Sequence, residues 1–299
     1  MDKMTIPLRD IVIDTPKGNY RLMLEKADLS TLYPGMMMYS LRVTTGDRIV
    51  GLFRTNSYEY TPTMQLDAET AAFRKAEEWE QSIRADPGDF HEIFHHVEAL
   101  QGKEEKGPDV VVIQGSPRVD GNSSVLASLA AEEARHLGMT VEVIYPDEMD
   151  IRACIGCYQC YNTGTCTFTD DMNWFIPMIR HAALVVVCSP VYTNTVPGGL
   201  KILIDRCQAY HAERSLTGRK PGAKGLLFAV AGRKGVANFT CLLRVIGAFL
   251  AITGVEPVGR ILVDGMDEVR DVRKVAGIAG QVESAVQGAL RGKETGKGP

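Results

Sequence analysis

The sequence predicts an α/β protein: a doubly wound, five-stranded parallel sheet preceded by a smaller α+β domain. Three observations carry this. From Asp109 onward, short runs rich in Val, Ile and Leu alternate with helical patterns, as buried parallel strands and their crossovers do. Before residue 105 the apolar residues alternate with period two around a hairpin signal, Thr45-Gly46-Asp47. A polar segment, residues 101–108, separates the two patterns and reads as a linker.

In the first part, strands are expected near residues 10–13, 20–25, 38–44 and 48–55. A helix follows from Asp67, an N-cap, to about Arg84. Asp86-Pro87-Gly88 breaks that pattern, and a shorter helix covers 90–100. It carries His91, His95 and His96. His91 and His95 have metal-ligand spacing, but Phe90, Phe94 and Leu100 make this a packed helix with His on its outer side.

In the second part, strands are expected at 110–113, 141–145, 184–188, 225–230 and 258–263. Helices are expected at 123–137, 172–181, 199–212, 239–252 and 267–291, with Asp170 or Asp171 capping the second. Right-handed crossovers put the loop after every strand along one sheet edge, where such folds bind ligands. The domains are thus 1–105, 109–291 with a cysteine loop at 151–170, and a disordered tail at 292–299.

Hydrophobic residues are 45% of the 299, charged residues 23%, and the net charge is −4. That is a soluble globular composition with no basic run to attract nucleic acid. The amino terminus lacks a leader pattern, and the apolar stretches 182–188 and 245–255 are short for a bilayer. A cytoplasmic protein without membrane or nucleic-acid partners is expected. Of seven cysteines, four crowd into Cys154, Cys157, Cys160 and Cys166, which in a cytosolic protein points to metal or redox chemistry. Cys188, Cys207 and Cys241 sit in apolar runs and read as buried structural thiols.

The first parallel strand ends in Gly115-Ser116-Pro117-Arg118-Val119-Asp120-Gly121-Asn122-Ser123-Ser124, and a helix follows at once. A phosphate monoester needs several donors and charge compensation. A helix amino terminus supplies N–H groups, Ser116, Ser123 and Ser124 supply hydroxyls, and Arg118 a cationic fork. The plainer reading is a strand-to-helix turn capped by Ser and Asn. The loop resembles the flavin-phosphate loop of NADPH-dependent FMN reductase-like proteins of flavodoxin-like fold. That resemblance implies strand order 2-1-3-4-5. A second block, Ser189-Pro190-Val191-Tyr192-Thr193-Asn194-Thr195, strengthens it. By resemblance Pro190, Val191, Tyr192, Thr193, Asn194 and Thr195 line the flavin ring. Lys201, Asp205 and Arg206 read as a solvated helix face with no catalytic role. After the fourth strand, Ala231-Gly232-Arg233-Lys234-Gly235 supplies a third flavin loop through Gly232, although Val236-Ala237-Asn238 stands where relatives often carry a Gln-Glu pair. FMN rather than FAD is expected, since the loop offers one phosphate site and no adenine-binding half is evident.

Cys154, Cys157, Cys160 and Cys166 put four thiols within thirteen residues. Two-residue spacings let a loop wrap successive irons of a cuboidal cluster. Zinc, thiols that bind nothing, and a regulatory disulfide are the alternatives. The pattern resembles the compact cysteine signature of iron–sulfur flavoproteins, which follows the second strand of the same flavin fold. The resemblance implies FMN and a [4Fe-4S] cluster in a homo-oligomer, dimer or tetramer. A ferredoxin-like protein or NAD(P)H would be the donor, and oxygen, peroxide or a quinone the acceptor. A cluster-free NAD(P)H-dependent reductase and a non-catalytic redox sensor or electron carrier are the alternatives. The sequence shows no Ser/His/Asp constellation and names no catalytic residue.

Overall fold

The computed structural model describes residues 5–87, 107–219 and 222–291. The histidines at 91, 95 and 96, their expected helix, most of the linker and the tail 292–299 lie outside the described residues. The chain divides into two compact units. One holds 5–87 and Gly156–Thr167, the other 107–155 and 168–291.

In the first unit, β1 (Thr5–Thr15), β2 (Gly18–Asp28), β3 (Met37–Thr45) and β4 (Arg48–Asn56) form an antiparallel sheet in sequence order. Alternation sends Tyr20, Leu22 and Leu24 to one face, where they meet Leu41 and Val43. Helix α1 (Ala68–Ala85) lays Ala72, Ala76, Trp79 and Ile83 on that face, a stripe of helical spacing. The Asp67 carboxylate accepts from the Thr70 N–H at 2.7 Å and caps it. Thr45 pairs with Arg48 across a two-residue turn in which Gly46 takes φ +55°.

In the second unit, β5 (Val110–Gln114), β6 (Val141–Ile144), β7 (Leu184–Pro190), β8 (Lys224–Val230) and β9 (Glu256–Val263) make a parallel sheet in the order β6-β5-β7-β8-β9, the expected 2-1-3-4-5. Val110 and Val112 face α2 (Asn122–His136) and α9 (Ile278–Leu290). Val111 and Ile113 face α4 (Met172–His181), α5 (Gly198–Arg206) and α7 (Thr240–Thr253). With both faces covered, the strands need no polar alternation. A four-residue turn of helix, α3 (Cys160–Thr163), belongs to the first unit.

Several expectations need correction. The helix expected at 199–212 breaks at Cys207 into α5 and α6 (Gln208–Thr217). The helix expected from 267 is α8 (Met266–Val269), a 3-10 turn Val272–Lys274 and α9, interrupted where Arg270 takes φ +64° and Gly277 φ +73°. Cys188 and Cys207 are buried, and burial pushes both thiols above their ordinary range, but Cys241 is exposed on α7. Val236–Thr253 is long and apolar enough to cross a bilayer by length and composition. Its Leu242, Ile246, Phe249 and Leu250 nevertheless lie in the sheet's core, as those of a core helix do.

Arg206 is not on a solvated face. It is 2% exposed, and its guanidinium grips the Asp170 carboxylate at 2.6 and 3.0 Å. The same guanidinium donates to the Arg152 carbonyl, and the Arg152 N–H donates to Asp170. The Phe168 ring lies 4.0 Å from the Arg152 guanidinium carbon and 5.2 Å from that of Arg206. Asp170 is therefore more than a cap, although it also accepts from the Met172 N–H. Asp171 turns to the Asp150 N–H instead. Burial alone would raise the Asp170 carboxyl, but hydrogen bonds from Arg206, Arg152 and Met172 outweigh it and hold it below the usual range. Its contribution to stability is complete above the ordinary carboxylate pKa of about 4 and is lost as pH falls through the lowered folded value. Asp170→Ala should cost about 3–5 kcal/mol in urea unfolding at neutral pH, since it strands a buried cation. Asp170→Asn should flatten the acid limb of the stability profile; a limb as steep as in the parent would assign it to other carboxylates.

Candidate functional site

A cleft of about 800 Å³ opens at the carboxyl edge of the parallel sheet. Its floor begins where β5 ends. The Gly115 N–H donates to the Cys188 carbonyl at 2.8 Å, and a Cβ on Gly115 would lie 2.4 Å from Leu200 Cδ2, so a side chain here would force Leu200 to move. The following turn is braced from within by Gln114, a buried amide that the sequence reading passed over. Its Oε1 accepts from the Ser116 N–H at 2.7 Å, and its Nε2 donates to the Arg118 carbonyl and to Ser124 Oγ. Ser124 Oγ donates to the same carbonyl at 2.7 Å. Ser124 is thus committed to holding the loop and does not line the cleft.

Ser116, Arg118, Asn122 and Ser123 do line it. The N-cap of α2 is Gly121, which has no side chain to answer the first N–H groups. Those donors and the helix dipole favour an anion. The exposed Arg118 guanidinium meets no carboxylate among the described residues.

The second wall is the loop after β7. Pro190, Val191, Tyr192, Thr193 and Asn194 line the cleft. Thr195 does not; it closes the turn, exchanging both backbone hydrogen bonds with Tyr192 at 2.9 Å. Between them Thr193 (φ +46°) and Asn194 (φ +65°) take the left-handed conformations of a type I′ turn. Asn accepts this readily, whereas a β-branched Thr is strained there. Strain of this kind concentrates where a loop must present itself to a ligand.

The third wall joins the loops after β8 and β9. Gly232 lines the cleft together with Arg233 and Asn238. A Cβ on Gly232 would fall 2.4 Å from the Asp267 carboxylate. Asn238 Nδ2 folds back onto the Arg233, Lys234 and Gly235 carbonyls and fixes the turn's shape. Met266, Asp267 and Arg270 complete the lining, where the sequence pattern leads to a helix running from 267 to 291 rather than to a loop. Asn122 ties this last loop to the first: its Oδ1 accepts from the Val272 N–H at 2.8 Å and its Nδ2 donates to the Arg270 carbonyl at 3.1 Å. Arg118, Arg233 and Arg270 against Asp267 leave the cleft positively charged.

The four cysteines of the loop differ from the buried pair. Cys154 is exposed, and Cys157, Cys160 and Cys166 are half-buried. Gly156 (φ +66°), Tyr158 (φ +56°) and Gly164 (φ +78°) curl the segment, and the Gly164 N–H closes α3 on the Cys160 carbonyl at 2.8 Å. Among the described residues no three His, Cys, Asp or Glu side chains are gathered closely enough to hold a metal ion.

Residues 108–260, just over half of the chain, match the family described as NADPH-dependent FMN reductase. An iron–sulfur flavoprotein of Archaeoglobus fulgidus is 30% identical over 185 residues, 60% of this chain and 81% of that protein. One of Methanocaldococcus jannaschii is 32% identical over 114 residues, 38% of this chain and 59% of that protein, so under two thirds of its length is spanned. Among solved structures, an NAD(P)H:quinone oxidoreductase from Methanothermobacter marburgensis superposes with a TM-score of 0.48 at 18% identity, over 65% of this chain and 100% of that one.

The tie between the first and last loops is directly testable. Asn122→Ala removes two hydrogen bonds and should destabilise the protein by about 1–2 kcal/mol. Hydrogen exchange should quicken at the Val272 amide while β5 stays protected. Unchanged exchange at Val272 would show that the last loop holds its place without Asn122.

Proposed function

The chain belongs to the NADPH-dependent FMN reductase family and to its iron–sulfur flavoproteins, and from that premise we propose that the cleft holds FMN and that Cys154, Cys157, Cys160 and Cys166 ligate a [4Fe-4S] cluster. The protein is an FMN-dependent oxidoreductase. One observation carries the flavin placement: a helix amino terminus, an Arg118 that meets no carboxylate among the described residues, and the Pro190–Asn194 loop line a single cleft.

The residues suit a phosphate monoester joined to a flat ring. Ser116, Ser123 and the first N–H groups of α2 would hold the phosphate, with Arg118 offsetting its charge. A side chain at position 232 would collide with the Asp267 carboxylate, so glycine there lets the loops after β8 and β9 close on one another. Tyr192 and the backbone of Thr193 and Asn194 would border the ring. One anion site and no second nucleotide half favour FMN over FAD.

The donor set of the cysteine segment also suits its group. Thiolates, not thiols, bind iron, and these four lie where solvent and partners reach them, unlike Cys188 and Cys207. Bound together, the flavin and cluster would supply hydride-type and single-electron chemistry respectively. We take a ferredoxin-like protein or NAD(P)H as the donor and oxygen, peroxide or a quinone as the acceptor. A cytoplasmic homo-oligomer, dimer or tetramer, completes the reading.

Arg118→Ala tests both placements in one preparation. FMN affinity should weaken by about 1.5–3 kcal/mol through loss of a charge-assisted contact. Iron and acid-labile sulfide should be unchanged, and chromatography of the released cofactor should give FMN. Undiminished FMN binding removes Arg118 from the site, FAD in the eluate contradicts the single-phosphate reading, and zinc without sulfide contradicts the cluster.

A further inference from the structure

The family match begins at residue 108 and leaves the antiparallel sheet without a role. That sheet shares its unit with Gly156–Thr167, the stretch bearing three of the four clustered cysteines. The residues between those cysteines are the ones it holds.

Asn56, the last residue of β4, is fully buried and caps the 3-10 turn Ser57–Glu59. Its Oδ1 accepts from the Tyr58 N–H at 3.1 Å, and its own N–H donates to Glu59 Oε1 at 2.7 Å, a capping box. This box reaches further than the turn it closes. Asn56 Nδ2 donates to Asn162 Oδ1 at 3.0 Å and to the Tyr158 carbonyl at 3.4 Å. Glu59 Oε1 accepts from Asn162 Nδ2, and Glu59 Oε2 from Gln159 Nε2, each at 2.6 Å. Arg54 of β4 donates to the Asn162 carbonyl at 3.1 Å. Beside this network the Tyr33 and Tyr58 rings meet those of Tyr158 and Tyr161 at centroid distances of 5.0 to 5.6 Å.

Four consecutive non-cysteine positions around Cys160 are therefore used: Tyr158 and Tyr161 by rings, Gln159 and Asn162 by carboxylate and amide. Tyr158 holds φ +56°, a conformation that a bulky L residue keeps only when its surroundings over-determine it. Those surroundings are the sheet's. A surface capping box needs no such partners, and buried polar pairs of this kind specify one arrangement.

We propose that the antiparallel sheet is a holder for the cysteine segment, with Asn56 and Glu59 as positioning residues that keep the Cys157–Cys160 turn in one backbone shape and so limit the rearrangement that ligation would need. The proposal rests on the cluster reading given above. Neither Asn56 nor Glu59 would be a ligand; they act through Gln159, Asn162 and the left-handed Tyr158.

The test compares Glu59→Ala, Glu59→Gln and Asn162→Ala with the parent on three readouts. These are FMN per chain, iron and sulfide per chain after anaerobic reconstitution, and alkylation rates of Cys157 and Cys160 in iron-free protein. Glu59→Ala should keep its FMN, alkylate about tenfold faster and retain about a tenth of the cluster under chelator, the fold-change of one charge-assisted hydrogen bond. Glu59→Gln keeps one acceptor oxygen and should recover part of both effects, with the electron-paramagnetic signature of the reduced cluster returning toward the parent's. If Glu59→Ala loses FMN as well, it has misfolded, and Asn162→Ala, which leaves the sheet unaltered, decides by the same readouts. Parent protein that takes up no iron overturns the reading beneath the proposal. Iron uptake and alkylation rates equal across all four proteins overturn the proposal while leaving that reading in place.

Discussion

A buried guanidinium must find its acceptors inside the protein, and Arg206 finds them on both legs of the cysteine loop. Its Nη1 donates to both the Arg152 carbonyl and the Asp170 carboxylate and its Nη2 to that carboxylate again, while Phe168 packs beside both arginines. Residues 152 and 170 are thereby fixed at one point, so the intervening stretch leaves and re-enters the parallel-sheet unit through a closed neck. Such a pair adds little to stability relative to well-packed apolar residues, and its value lies in specifying an arrangement.

The same economy governs the cleft. Much of its shape is set by side chains hydrogen-bonded to backbone, Gln114 and Ser124 under the first loop, Asn238 curling the third and Asn122 fastening the last, while Thr195 closes the second through its own backbone. A polar side chain bonded to backbone on a neighbouring loop sets that loop's position to within a hydrogen bond's tolerance. Loops fixed in this way need little ordering on binding, which is how a preformed site limits the entropic cost of association.

The parallel sheet was legible because both its faces are covered, so its strands read as unbroken Val, Ile and Leu runs. The phosphate loop was legible because its composition and its place after the first strand coincide. Other features hid for physical reasons. Arg206 stands three residues after Leu203 and four before Tyr210, on the apolar stripe, and that register was the available sign of its burial. Gln114, a lone amide ending an apolar strand, carried a similar sign. Met266, Asp267 and Arg270 could not be found, because nothing in the side-chain pattern announces that Arg270 adopts a left-handed backbone and ends the helix. Cys241 misled because α7 is apolar nearly all round, yet only one of its faces meets the sheet. The link between the antiparallel sheet and the cysteine segment joins residues about a hundred positions apart, and one sequence holds no trace of such pairing.

One chain is proposed to carry both a flavin in the cleft and an iron–sulfur cluster on the cysteine segment. The most direct measurement is the visible spectrum of anaerobically purified protein before and after reduction, with iron and sulfide assayed on the same sample. The account predicts flavin bands standing on a broad iron–sulfur shoulder, both bleaching on reduction, with about four irons and four sulfides per chain. Flavin bands alone, with neither iron nor sulfide in protein that has never met air, would contradict it.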